Sequence, residues 1–350
     1  MATKRLPPWS ICSQKTDPAE AHLLMRALVP RNHPRLWTSI FGSYSYSRFV
    51  FFVSLWLMYF QCHDFVEPIF FLSSGASLRA EDHPVDPTFL HRFIPDVQEK
   101  KMDVSTGTCH YKPIFGEGDS DTSIVRGVTR FGEITVDPGG KSSALSYSRE
   151  EQVYVVLEGK GSLLYGDQVI PVRENDFMYL PPDVTHGILN PSSQTCRIIV
   201  MGFKIPPGEI ISPPAKPQLA NIDQVSKQVV EGHPPSTLYQ LLMGDTKSTR
   251  DLIAAGHALT SLFVMEFAPG GTNFPHHHEY EEEIYLVLEG SGEMVAGGGI
   301  SGIEGKYPAR AGDAYFFRLN CTVGFYSNNS TSAKARILAV RSLFPARRIK

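Results

Sequence analysis

Between Gly270 and Gly290 the chain reads GGTNFPHHHEYEEEIYLVLEG, and three of these side chains, His276, His278 and Glu283, could hold a metal ion. Histidines two positions apart on a β-strand point to one face. A carboxylate from the following strand then completes a set of two imidazoles and one carboxylate. With the other coordination positions open, that set is typical of non-haem iron sites. His277 is expected to point the opposite way, toward solvent or as support for the ligands. Glu279, Glu281 and Glu282 read as a solvated acidic turn, although a one-residue shift would make Glu282 the ligand instead of Glu283.

The elements that must position this set are β-strands, and they occur twice. FGEITVDPGGKSSALSYSREEQVYVVLEG (131–159) repeats as FVMEFAPGGTNFPHHHEYEEEIYLVLEG (263–290), with Pro138-Gly139-Gly140 in line with Pro269-Gly270-Gly271. ENDFMYLPPDVTHGILN (174–190) repeats as AGDAYFFRLNCTVGFYSN (311–328). Self-similarity of this kind means two copies of one unit. The second copy is longer in the glycine-rich stretch 296–308, where a hairpin-loop insertion is tolerated. From residue 124 to 345 short apolar runs are broken by Gly, Pro, Asp and Asn, which is all-β punctuation. The prolines at 206–207 and 213–214 mark a linker, followed by a candidate short helix around 221–231.

The spacing G-x5-H-x-H-x4-E-x6-G resembles the first signature motif of the cupin superfamily, and Gly270, His276, His278, Glu283 and Gly290 fit each of its positions. The resemblance implies two tandem cupin barrels, double-stranded β-helices or jelly rolls, behind a non-barrel leader. The divisions are 1–80 for the leader, 81–212 for the first barrel and 213–350 for the second. Cupins include dioxygenases, decarboxylases, isomerases, aminohydrolases, sugar-binding regulators and seed storage proteins, and fold does not choose among them.

The two copies depart from the family pattern in complementary ways. In the first, His276, His278 and Glu283 are replaced by Leu145, Tyr147 and Gln152, so this barrel is expected to be metal-free. It retains much of the second cupin motif as Asp176, Pro181, His186 and Asn190. His186 is then a hydrogen-bonded pocket residue, and Tyr147 and Gln152 fill the space of the metal. In the second copy Arg318 stands in place of Pro181 and Val323 in place of His186, the fourth ligand. Asn320, Tyr326 or an incoming group could supply a fourth contact. Arg318 is a candidate clamp for a carboxylate substrate, with a surface salt bridge as the competing reading.

The leader is different in kind. Lys4, Arg5, Lys15, Arg26, Arg31, Arg35 and Arg48 face only Asp17 and Glu20, and FVFFVSLWLMYF follows at 49–60. That run is short of the roughly 20 residues of a membrane span. Three readings fit it: a signal or anchor behind an extended leader, a start placed too far upstream, or a hydrophobic leader helix. The chain is secreted or anchored in the first case and cytoplasmic otherwise, and any membrane contact would run through 49–72. The five cysteines form no CxxC, and only Cys109 with Cys196 suggest a bridge. A net charge of −3 and the lack of dinucleotide or phosphate-loop motifs exclude nucleic-acid binding and the common nucleotide folds.

These features point to a mononuclear Fe(II) or Mn(II) enzyme, with Zn, Ni or Cu as other ions. It would act on a small oxygen-rich or aromatic substrate as an oxygenase, decarboxylase or isomerase. Bicupin dioxygenases and the ureidoglycine aminohydrolase type, which use one competent barrel of two, are the similar cases. The alternative is a non-catalytic ligand-binding or storage bicupin. Exposed barrel edges suggest a homodimer. Because 1–80 lie outside the repeat, a chain beginning at Glu81 is expected to keep the melting temperature and metal content of the full chain. Aggregation or metal loss on that truncation would mean that the leader packs on the barrels.

Overall fold

The computed structural model describes residues 88–299, 303–330 and 332–345, and the leader with its three readings lies outside them. Among the described residues no helix is long and apolar enough to cross a membrane. The architecture is all-β, as the punctuation predicts. In the first barrel a six-stranded sheet runs Gln218–Asn221, Asp176–Leu180, Glu150–Glu158, Cys196–Lys204, Val128–Val136, Cys109–Gly116. It closes against a three-stranded sheet of Gln168–Arg173, Lys160–Tyr165 and His186–Leu189. In the second barrel a seven-stranded sheet runs Phe89–Phe93, Asp313–Phe317, Glu281–Glu289, Ala335–Leu343, Leu259–Phe267, Thr237–Asp245, Ile253–Gly256. Its three-stranded companion is Gly305–Arg310, Ser291–Gly297 and Thr322–Ser327. The candidate helix near 221–231 is one short 3-10 turn, Ile222–Gln224. The insertion falls in the loop between Gly297 and Gly305, as expected.

Three apolar layers hold this together. Each barrel has its own interior, with Ile134, Val156, Met178 and Ile198 in the first and Met265, Val287, Phe317 and Ile337 in the second. A third layer lies between the barrels, where Phe115, Phe131, Val155 and Met201 of one large sheet meet Leu262, Ile284, Phe316 and Val340 of the other. The central strands are therefore buried on both faces. That is why Cys196–Lys204 and Ala335–Leu343 read as nearly continuous apolar runs. Period-two alternation assigns the faces: Ile337 and Ala339 turn into the barrel, Leu338 and Val340 toward its neighbour. Phe115 and Phe316 meet across the layer with ring centroids 5.8 Å apart.

The barrels also exchange edge strands. Phe89–Phe93, from ahead of the first barrel, pairs with Asp313–Phe317 of the second. Gln218–Asn221, from the linker, pairs with Asp176–Leu180 of the first. The division at 212 thus separates the sequence repeats, while strand pairing crosses it in both directions.

A reciprocal pair of buried carboxylates locks the interface. Glu282 accepts the backbone N–H groups of Arg126 (2.7 Å), Gly127 (2.6 Å) and Val128 (3.1 Å) from the opposite barrel. Glu151, its counterpart in the repeat, accepts those of His257 (2.8 Å), Ala258 (2.8 Å) and Leu259 (2.6 Å). The Tyr179 hydroxyl also donates to Glu151 at 2.8 Å. Burial pushes the Glu282 carboxyl pKa up, and the three amides oppose that shift. Glu282 is therefore neither a ligand nor part of a solvated turn. The strand beginning at Glu281 turns Glu283 inward and Glu282 out, and outward here means into the other barrel.

Glu282→Ala and Glu151→Ala would each strand two buried amides and a third that is partly buried. Each is expected to cost about 2 kcal/mol or more, since every buried unsatisfied group costs roughly 1–3 kcal/mol. Urea unfolding checks this, and a loss below about 0.5 kcal/mol, the range of an ordinary surface change, would remove the carboxylates from the interface argument.

Candidate metal centre

His276, His278 and Glu283 come together in the second barrel, each with one ligand atom within 4.8 Å of the others. Glu283 stands on Glu281–Glu289, as the spacing predicts, and is buried. The two histidines are not on a regular strand. They lie in an extended segment tied at Thr272 to Tyr326 and at His276 to Val323. The latter tie is two backbone hydrogen bonds, His276 N to Val323 O at 2.9 Å and Val323 N to His276 O at 2.8 Å. In the first barrel the same bridge joins Leu145 to His186, so Val323 occupies the place of the fourth-ligand histidine. His277 and Glu279 are exposed, as expected.

The His276 imidazole is oriented by the chain around it. Its Nδ1 lies 2.9 Å from the Phe274 carbonyl, which can only accept. Nδ1 therefore carries the proton and Nε2 presents a lone pair to the cluster. Phe274 adopts φ +52°, a left-handed conformation rare for a bulky residue. Its counterpart in the repeat, Ser143, is not among the residues with positive φ. The cost of that conformation is on the order of 1 kcal/mol, and it falls where a carbonyl must be aimed at a ligand ring. Below the ligands Asn273 donates to the Tyr285 hydroxyl at 2.9 Å and accepts from Phe325 N at 2.8 Å.

The electrostatics suit a cation. Burial lowers the His276 pKa, which keeps the ring neutral and able to coordinate. Burial alone would raise Glu283, but His278, Arg341 and His276 outweigh it and hold the carboxyl below its ordinary range. His278 Nε2 and Glu283 Oε2 are 3.2 Å apart but not aligned as a hydrogen bond, so both are buried polar atoms without a partner. Two such atoms aimed at one region, beside the bare Nε2 of His276, are what a coordinated ion would satisfy. The residues present fit a divalent metal.

A cavity of about 110 Å³ opens beside the cluster, lined among others by His233, Tyr239, Arg250, Tyr285 and Arg341. Neither Arg318 nor Tyr326 lines it, which corrects both expectations. Tyr326 alternates with inward-facing Val323 and Phe325, and its ring lies on the outer face under the Lys306 ammonium at 4.3 Å. Arg318 follows the strand Asp313–Phe317, and its backbone N–H meets Thr88 O at 3.0 Å. Asn320 is exposed and reaches His278 only through its backbone N–H, at 2.8 Å. The arginines that reach the cavity are Arg250 and Arg341. Arg341 had a sequence signal: it takes the inward position after Ile337 and Ala339 in a strand otherwise apolar on that face.

The first barrel fills the equivalent space with its own side chains. His186 Nδ1 lies 2.9 Å from the Val184 carbonyl and Nε2 lies 3.0 Å from Gln152 Oε1; both are acceptors, so the neutral ring donates to one of them. Gln152 donates to Glu150 at 2.7 Å. Buried Arg130 bonds Glu150 (3.1 Å), Asp103 (2.8 Å) and Glu117 (2.8 Å) and covers the Tyr147 ring at 4.6 Å. Cys109 and Cys196 are free buried thiols, not a bridge.

Burial lowers the His186 pKa from 6.5 to about 4, with the Arg130 charge acting the same way. The unfolded chain therefore takes up a proton that the folded chain refuses between those values. Stability should fall as pH drops from 6.5 toward 4, by at most about 3 kcal/mol. Chemical unfolding of His186→Gln across that window should show a flatter pH profile than wild type.

Residues 132–202 and 263–341 each match the family model of the cupin domain. A Pseudomonas aeruginosa protein described as glyoxylate-induced superposes with TM-score 0.59 at 17% identity, covering 77% of this chain and 96% of that one. Bacillus subtilis oxalate decarboxylase, studied for its Mn(II) centres, gives TM-score 0.53 at 12% identity, covering 76% and 79%. At these identities the likeness is one of fold. The mannose-1-phosphate guanylyltransferase RfbM of Salmonella typhimurium is 32% identical over 66 residues, 19% of this chain, and the match spans only 14% of that enzyme. With two matched domains, two jelly-roll barrels and the signature residues at their places in the second, the chain is a bicupin of the cupin superfamily.

Proposed function

We propose that the chain is a mononuclear metal-dependent enzyme whose site lies in the C-terminal barrel, with His276, His278 and Glu283 as ligands and Fe(II) or Mn(II) as the ion. The observation that carries this is the pair of buried atoms without a hydrogen-bond partner, His278 Nε2 and Glu283 Oε2, 3.2 Å apart at the edge of a cavity. When bound, a divalent ion would supply Lewis acidity and, as Fe(II) or Mn(II), a redox-active centre. The chain's own part is to orient His276 through the Phe274 carbonyl, keep Glu283 anionic, and leave open the place of a fourth ligand at Val323. The cavity of about 110 Å³ holds the order of four waters, taking roughly 30 Å³ per water. That favours a small oxygen-rich substrate over a large aromatic one. The reaction class is oxygenation, decarboxylation or isomerisation.

Elemental analysis of the purified chain should give close to one transition metal per chain. His276→Ala should abolish it and His186→Ala should leave it unchanged. Val323→His should slow metal loss to a chelator, because an imidazole would replace a water. A wild-type chain that takes up no metal would overturn this reading and favour the non-catalytic bicupin.

A further inference from the structure

We infer that the cavity wall beside the ligand set is a carboxylate subsite made by Arg341, Tyr239 and Arg250, so that the substrate is a small carboxylic acid bound as its anion. This rests on the metal reading only for what the ligand set holds.

Two donors on residues that line the cavity have no hydrogen-bond partner. The Tyr239 hydroxyl is buried and without a partner, and Tyr239 as a whole is 4% exposed. Arg341 Nε is likewise buried and unpartnered, while its Nη1 is spent on Glu281 at 3.2 Å. Arg250 adds a second guanidinium, braced by Asp251 at 3.3 Å and the Ser261 hydroxyl at 3.2 Å. A buried donor left open is costly, and a charged acceptor satisfies a guanidinium and a phenol better than a neutral one.

The first barrel shows what such donors bind. There too a guanidinium and a tyrosine hydroxyl converge, from Arg130 and Tyr147, and both bond one carboxylate: Asp103, at 2.8 Å from Arg130 and 2.7 Å from Tyr147. That barrel carries its own acid. The second leaves the same two kinds of donor open beside a cavity. The charge count agrees. With a divalent ion, the two arginines bring the positive charges to four, against Glu281, Glu283 and Asp251. One negative charge is missing, which a monocarboxylate would supply. The volume leaves room for a few carbons beyond the carboxyl group.

Glycolate and its neutral amide, glycolamide, test this by calorimetric titration of the full chain, both Mn(II)-loaded and metal-free. Glycolate should bind both forms, more tightly with metal, and glycolamide at least tenfold more weakly. Arg341→Gln should weaken glycolate at least tenfold and Tyr239→Phe several-fold, with metal content and melting temperature near wild type. Tyr239→Phe removes one hydroxyl, so it remains informative if Arg341→Gln fails to fold. Equal binding of glycolate and glycolamide, or glycolate affinity unchanged in the folded variants, would overturn the subsite. If the wild-type chain holds no metal yet binds glycolate through Arg341, the subsite stands and the metal reading falls.

Discussion

The rest of the structure depends on two carboxylates buried where each barrel meets the other. Glu151 and Glu282 each leave their own sheet and accept three consecutive backbone N–H groups from the other barrel. A buried carboxylate without such partners would be strongly destabilising. The amides it meets stand at equivalent positions of the repeat, 126–128 and 257–259. The pair therefore fixes the pseudo-two-fold docking of the large sheets, and the apolar layer between them fills the space so defined. The exchanged strands Phe89–Phe93 and Gln218–Asn221 extend the same reciprocity to the edges.

This docking bears on the site because adjacent residues of one strand do both jobs. Glu282 faces the other barrel and Glu283 faces the cluster. Whatever shifts the interface along that strand shifts Glu283 with it. On the facing segment the histidines gain their precision from the Val323 bridge and from the left-handed Phe274, whose carbonyl sets the His276 tautomer.

Two barrels of one ancestry pattern have been finished in opposite ways. In the first, Arg130 and its three carboxylates with Tyr147, Gln152 and His186 form a hydrogen-bonded network, and the buried Tyr111 hydroxyl is left without a partner. Such a network is costly to break and cheap to leave alone. In the second, Arg341 Nε, Tyr239 Oη, His278 Nε2 and Glu283 Oε2 are all unpartnered.

The sequence by itself determined what local spacing controls. The run from Gly270 to Gly290 names His276, His278 and Glu283, because metal-ligating side-chain types at a fixed spacing within one short segment are visible without the fold. The 131-residue offset shows two barrels and the loss of ligands at Leu145, Tyr147 and Gln152, which are substitutions visible position by position. Tertiary structure alone decided the pairings between distant residues. Glu282 looked like one more acid in a charged turn, and its partners lie some 155 residues away in the chain. Arg318 and Tyr326 were near the expected mouth in sequence, yet strand alternation and the strand-end position keep them from the cavity, while Arg250 and Arg341 reach it from other elements. Which face of a strand meets solvent, a cavity or a second barrel follows from how sheets dock. That is a property of the whole packed chain and not of any window of it.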